Sequence, residues 1–418
     1  MSNNSPWYSF MEKRHLYALI GGLGAWTMDA MDMLLYVMSL TTIMKEFQIS
    51  MAIAGMLASV TLLSSAFGGV LFGIVADKIG RKKSLLIAIA IYTTCTGLSA
   101  LARSVPELVL YRTILGLGMG GAWAAGALLV NETWPSEHRG KASGFMQAGW
   151  ALGYMLAAVL SGIILSDHGW RMLFLVGIIP SSIILIFIFF ACEEPQVWLN
   201  YREKQRLTPV AKTEKANFFN IFKGPLRRLT LIGVLFTSFL QLAYWGLFTW
   251  LPGFLSTPVA NGGAGMDIVK TSGWIFAMQL GALAGYSAFG FLADKWGRRT
   301  AFIFFLAIAA VLVPIYGSLR NPAWLFILGP CIGFFGSGYF SGFGVLLSEL
   351  FPTRLRGAGL GFVYNTGRGV SALAPIIIGS LATHFGIGTS LFITSLFYLC
   401  GIGIIFLLPE TKGQELQE

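Results

Sequence analysis

The stretch GIVADKIGRKK at residues 73–83 ends one long apolar block and opens the next, and it returns at residues 290–299 as GFLADKWGRR. A shift of 217 residues superposes Gly73 on Gly290, Asp77 on Asp294, Lys78 on Lys295, Gly80 on Gly297 and Arg81 on Arg298. The same shift carries Glu132 to Glu349, Pro135 to Pro352, Arg139 to Arg356, Gly140 to Gly357 and Glu193 to Glu410. Glycine coincidences are expected between two apolar bundles, whereas matching Asp, Glu, Pro and Arg point to a duplicated unit. A short turn between two helices needs Gly73 and Gly80, and a carboxylate there can meet a helix N-terminus or a basic neighbour.

Working outward, the chain between these turns is a membrane sequence. Of 418 residues 55% are hydrophobic and 11% charged, against about 25% charged in a soluble domain, and the mean hydropathy is +0.70. Charged clusters cut the sequence into twelve apolar blocks, the first at 16–44 and the last at 386–408, each near the ~20 residues that a helix needs to cross a bilayer. The expected fold is an all-α integral membrane protein with twelve transmembrane helices in two pseudo-symmetric six-helix bundles. Residues 1–191 form the first bundle, 192–228 a cytoplasmic linker with Pro195, Pro209 and Pro225, and 229–418 the second. Residues 1–15 lack the pattern of a secretory signal, so the first helix is expected to be retained.

The formal charge of +10 raises the question of nucleic acid. With both termini cytoplasmic, 22 of the 29 Lys and Arg fall in inner segments, which explains the basic balance by the positive-inside rule and leaves no nucleic-acid partner to invoke. Cys95, Cys192, Cys331 and Cys400 show no paired spacing, and the four His lie at helix ends or loops. No metal cluster, Walker loop or nucleophilic triad is visible, which argues against a pump or a membrane enzyme. Parallel repeats instead describe a transporter with its site near the midplane between halves.

Charges inside the bilayer are costly and mark pathways. Four qualify: Asp29 and Asp32 in the first helix, Arg112 in the fourth and Arg368 in the eleventh. Asp29 and Asp32 share a helix face, and two desolvated carboxylates so close should not both ionise easily, which suits proton loading. At 1.5 Å per residue Asp32 lies about 25 Å into its helix and Arg112 about 9 Å below the outer surface, so the two should meet at one depth and pair. Arg368 lies about 16 Å into its helix, near the midplane, and its bidentate guanidinium suits a carboxylate ligand. A permanent salt bridge from Arg368 to Asp29 is the competing arrangement. None of these charges obeys the repeat: Asp29, Asp32 and Arg368 map onto Gly246, Thr249 and Ala151. Tyr364, Asn365, Gln147, Gln241 and Trp150 are the expected companions at the substrate site, with Gln279, Trp123, Tyr154, Tyr244, Trp245 and Tyr339 as further candidate lining.

Residues 73–83 and their copy, with Gly116, Gly118 and Gly120 beside Arg112 and the PETKG stretch 409–413, closely resemble the loop signatures of the major facilitator superfamily. The resemblance implies that Asp77, Arg81, Glu132 and Arg139, with Asp294, Arg298, Glu349 and Arg356, latch the cytoplasmic side in the outward-facing state. WTMDAMDMLLY at 26–36 is similar to the acidic first-helix pattern of aromatic acid, sialate and lactate:proton symporters, and YNTGR at 364–368, in helix eleven, resembles the polar-then-Arg pattern of monocarboxylate symporters. The resulting expectation is a monomeric secondary transporter of a bacterial inner membrane. It takes up a small organic anion (an aromatic acid, a muconate-like diacid, a lactate-like acid or sialate) with a proton, by alternating access, and needs no cofactor beyond the proton gradient. An antiporter exporting cationic or neutral compounds and a non-transporting sensor stay open at this point.

Overall fold

The computed structural model describes residues 11–49, 51–207, 217–256, 258–266, 268–414 and 416. Residues 1–10 of the expected first bundle and 208–216 of the expected linker, Pro209 included, lie outside the described residues. Twelve long helices follow the apolar blocks, with ends within a few residues of those read from charge clusters. They are α1 (Lys13–Phe47), α2 (Met51–Ile79), α3 (Arg81–Ala100) and α4 (Val105–Thr133). Next come α5 (Arg139–Leu165) and α6 (Asp167–Ala191), two helices separated at a break where Gly169 leaves the helical region with φ 74° and ψ 176°. After a helix at Gln196–Leu207 and a 3₁₀ turn at Phe218–Phe222 come α7 (Gly224–Ser256), α8 (Ile268–Trp296) and α9 (Arg298–Ser318). The last are α10 (Pro322–Leu350), α11 (Arg356–Ser371 continued as Ala374–Phe385) and α12 (Ile387–Ile405).

Ten of these helices, among the described residues, are long and apolar enough to cross a membrane. The two that are not, α1 and α11, hold Asp29, Asp32 and Arg368. Asp29 and Asp32 lower the hydropathy of α1, whereas α11 is divided into stretches of 16 and 12 residues, each too short to cross by itself.

The halves meet along two seams, α2 against α11 and α5 against α8, while α10 rests on α4 and α5. Both seams are closed by glycine. A Cβ at Gly73 would strike the Gly357 backbone and one at Gly361 the Gly69 carbonyl; a Cβ at Gly290 would strike the Gly140 backbone and one at Gly144 the Tyr286 carbonyl. Gly73 and Gly290, Gly140 and Gly357, and Gly144 and Gly361 are related by the 217-residue shift, so the duplication built one seam twice. Small residues let helix backbones approach closely where lipid offers no competing hydrophobic drive.

Replacing Gly290 by Leu should wedge α8 off α5. Hydrogen exchange at the Gly140 and Lys141 amides, which is slow when that seam is closed, should quicken; unchanged exchange would show that the seam does not depend on the glycine.

Candidate functional site

The basic loops converge at one end of the bundle, and there the repeat becomes a network. Helices α5 and α11 start after His138 and Leu355, neither of which caps its helix with a side chain. The caps come from the opposite half. The Asp77 carboxylate accepts from the Gly357 and Ala358 amides at 3.0 and 2.9 Å, and Asp294 accepts from Gly140 and Lys141, both at 3.0 Å. Each satisfies orphan N–H groups at a positive helix end.

Beside each cap sits an Arg–Glu–Arg triad. Glu132 receives Arg81 Nε and Nη2, both at 2.8 Å, and Arg356 Nη1 at 2.8 Å from the other half. Glu349 receives Arg298 Nε and Nη2 at 3.3 and 3.0 Å, and Arg139 Nη1 at 2.9 Å across the halves. The correspondence reaches the backbone, with Arg139 Nε donating to Asn131 O and Arg356 Nε to Ser348 O, both at 2.8 Å. One difference is Thr411, whose hydroxyl donates to Glu349 at 2.6 Å.

Helices α3 and α9 are also capped from elsewhere. After Gly80 (φ 113°) and Gly297 (φ 99°), their first amides donate to Glu194 and Glu410 respectively. Glu194, not Glu193, is thus the structural counterpart of Glu410. The shift is 217 within the helices and one residue shorter in the segment that follows α6, where no regular structure fixes the spacing.

Toward mid-membrane the halves enclose a tight chamber lined by Trp26, Gln147, Trp150, Tyr244, Trp245, Tyr286, Phe340, Tyr364 and Arg368. Its free volume is about 20 Å³, room for about one water. Rings fill the remainder: Trp123 on α4 stacks on Tyr364 across the halves with centroids 3.6 Å apart, and Trp26 packs on Trp150 at 4.8 Å. Trp123 Nε1 donates to Gln147 Oε1 at 3.3 Å.

The buried charges here are incompletely paired, unlike those at the basic end. Arg368 is 7% exposed with Nη1 unpaired, and Asp29 is fully buried with both oxygens unpaired. The two lie within electrostatic range, yet neither takes part in an ion pair among the described residues, so the permanent Arg368–Asp29 bridge is not formed. Asp32 is held differently, accepting from Thr96 Oγ1 at 2.6 Å.

Five expectations are corrected. Arg112 and Asp32 share a depth but make no direct pair; the guanidinium lies over the Tyr36 ring at 4.2 Å, one turn beyond Asp32. Equal depth does not fix azimuth. Asn365 turns away from the chamber and packs on Gly69 of α2, where only a glycine leaves room, and its Nδ2 donates to Gly361 O at 2.9 Å. It is one residue from Tyr364, about 100° around the helix. Gln241 is also absent from the lining and donates to Tyr364 O at 2.8 Å, which fixes α11 beside the chamber. Gln279 and Tyr339 do not line it either; the Tyr339 hydroxyl donates to Leu240 O at 2.8 Å. Gln147, Trp150, Tyr364 and Arg368 do line it. Trp26, Tyr286 and Phe340 were not anticipated, although Trp26, three residues before Asp29, shares its helix face.

The chain belongs to the Major Facilitator Superfamily, whose model matches residues 20–261 and 267–418. It is a membrane transporter and not an enzyme. It is 33% identical over 419 residues to a probable 4-methylmuconolactone transporter of Cupriavidus pinatubonensis, covering 97% of this chain and 93% of that one. It is 33% identical over 385 residues to a cis,cis-muconate transport protein of Acinetobacter baylyi, covering 90% and 89%. A solved structure of the proton:xylose symporter XylE superposes with a TM-score of 0.79 at 21% identity, over 96% of this chain and 98% of that one, which shows the shared fold.

Glu132→Gln should leave Arg81 and Arg356 buried beside a neutral amide. Breaking a buried pair in this way costs about 3–5 kcal/mol, read as a lower unfolding temperature and faster exchange at the Gly357 and Ala358 amides. A variant as stable as the parent would remove the triad from the closed end.

Proposed function

We propose that this protein is a proton-coupled symporter that takes up a small organic carboxylate by rocking its two halves about the aromatic chamber. The observation that carries the reading is Arg368: a permanently charged, bidentate group, buried at the interface between halves with a free N–H and no ion-pair partner among the described residues. A guanidinium kept in that state is matched by a carboxylate. The names borne by the muconolactone and muconate relatives agree with an acidic cargo.

Asp29 carries the proton in this reading. Both its oxygens are without a partner among the described residues, it lies within electrostatic range of Arg368, and it stands outside the Asp32–Thr96 hydrogen bond. Cargo at Arg368 and a proton at Asp29 each remove the other's best electrostatic partner, so loading one favours loading the other. Entry of an anion against a negative interior costs about 2.3 kcal/mol per charge per 100 mV, and one co-transported proton cancels that for a monoanion. Arg112 and Asp32 form the fixed electrostatic background. The Asp77 and Asp294 caps with the Glu132 and Glu349 triads hold the cytoplasmic end shut until cargo and proton are aboard. Both termini are cytoplasmic, the protein works as a monomer in a bacterial plasma membrane, and it needs no cofactor besides the proton gradient.

In proteoliposomes with acid outside, carboxylate accumulation should follow the pH gradient; accumulation driven by acid inside would make the protein an antiporter. Arg368→Ala should abolish carboxylate binding in a correctly inserted protein, and retained affinity would take Arg368 out of the site. Asp29→Asn should keep exchange of cargo across the membrane but lose gradient-driven accumulation. Intact accumulation would move the proton to another group.

A further inference from the structure

The unpaired hydrogen-bonding atoms of the chamber lining are of one kind. Arg368 presents Nη1 from α11, and Trp26 presents its indole N–H from α1 in the other half, 3% exposed and without a partner. Gln147, the amide of the lining, has its oxygen engaged by Trp123, which leaves its NH₂ as one more donor. The Trp150 indole N–H, on a side chain 5% exposed, is a further lining donor without a partner, close to the Tyr244 ring. A buried donor with no acceptor calls for an explanation, and in a site that opens to solvent in another state the natural one is a ligand atom.

Trp26 and Arg368 are joined by a chain of rings. Trp26 packs on Trp123 with centroids 6.3 Å apart, Trp123 stacks on Tyr364 at 3.6 Å, and Tyr364 precedes Arg368 by one helical turn. The two donors thus enter the chamber from opposite halves, with the rings of Trp123 and Tyr364 between them.

The geometry points to Trp26 as a specificity-determining residue: its indole N–H receives a second hydrogen-bond acceptor of the cargo, at the end remote from the carboxylate that Arg368 binds. The preferred substrates are then small flat acids with such an acceptor, a second carboxylate, a carbonyl oxygen or a ring nitrogen, over acids of the same shape without one. Sites built to pair a substrate group reject the analogue that leaves the donor unpaired. This inference rests on the carboxylate reading of Arg368.

The test is calorimetric titration of the purified protein in nanodiscs with two matched pairs, nicotinate against benzoate and trans,trans-muconate against sorbate. The parent should prefer the first of each pair by about tenfold or more, the size expected for one buried hydrogen bond. Trp26→Phe should collapse both ratios to near unity. If that variant does not fold, benzothienylalanine at position 26 keeps the bicyclic shape and removes the N–H. Ratios that survive the loss of the N–H, or a parent that binds all four acids through Arg368 without preference, overturn the inference and leave the carboxylate reading standing. Failure of all four acids to bind, or binding indifferent to Arg368→Ala, overturns the carboxylate reading and this inference with it.

Discussion

Helices α3, α5, α9 and α11 begin without a side-chain cap of their own, and four carboxylates supplied from elsewhere in the chain complete them. Glu194 and Glu410 tie the start of α3 and α9 to the segments that leave α6 and α12. Asp77 and Asp294 reach across to the opposite half, so each half finishes a helix of its neighbour. Because an uncapped N-terminus buried from water is costly, the closed end holds only while these crossings are made. The glycine seams bring the backbones near enough for short carboxylates to reach.

The protein contains two populations of buried charge, which differ in their pairing. At the basic end every Glu of a triad accepts from two guanidinium groups, and the Asp caps are saturated by amides. At mid-membrane Asp29, Arg368 and one oxygen of Asp32 hold free valences. Saturated networks fix geometry; unsaturated ones wait for something to bind. The division follows the duplication, since the saturated charges obey the 217-residue shift and the unsaturated ones break it. A symmetric frame thus carries an asymmetric site.

What could be read in advance divides along the same line. The residues of the caps and triads stood out because rare residues recurred at one spacing, and spacing is preserved inside helices, whereas which partner each one meets follows from how the two halves pack. The partner of Glu410 was misread by one position because Glu193 and Glu194 lie in a loop, where register is free to slip. Asn365, Gln241 and the Arg112–Asp32 pair were placed by depth along the helix, which a sequence yields at 1.5 Å per residue. Direction around the axis depends on how a helix rolls against its neighbours. For Asn365 that roll is set by the room at Gly69 on another helix. Trp26 does not stand out in the sequence, since an indole in an apolar block is ordinary, and the lack of a partner for its N–H shows only once the rings around it are in place.

The chamber between the halves admits about one water, and the stacked rings of Trp123 and Tyr364 close over it. In this closed state, then, the protein seals the space between its halves at the depth where its unpaired charges lie.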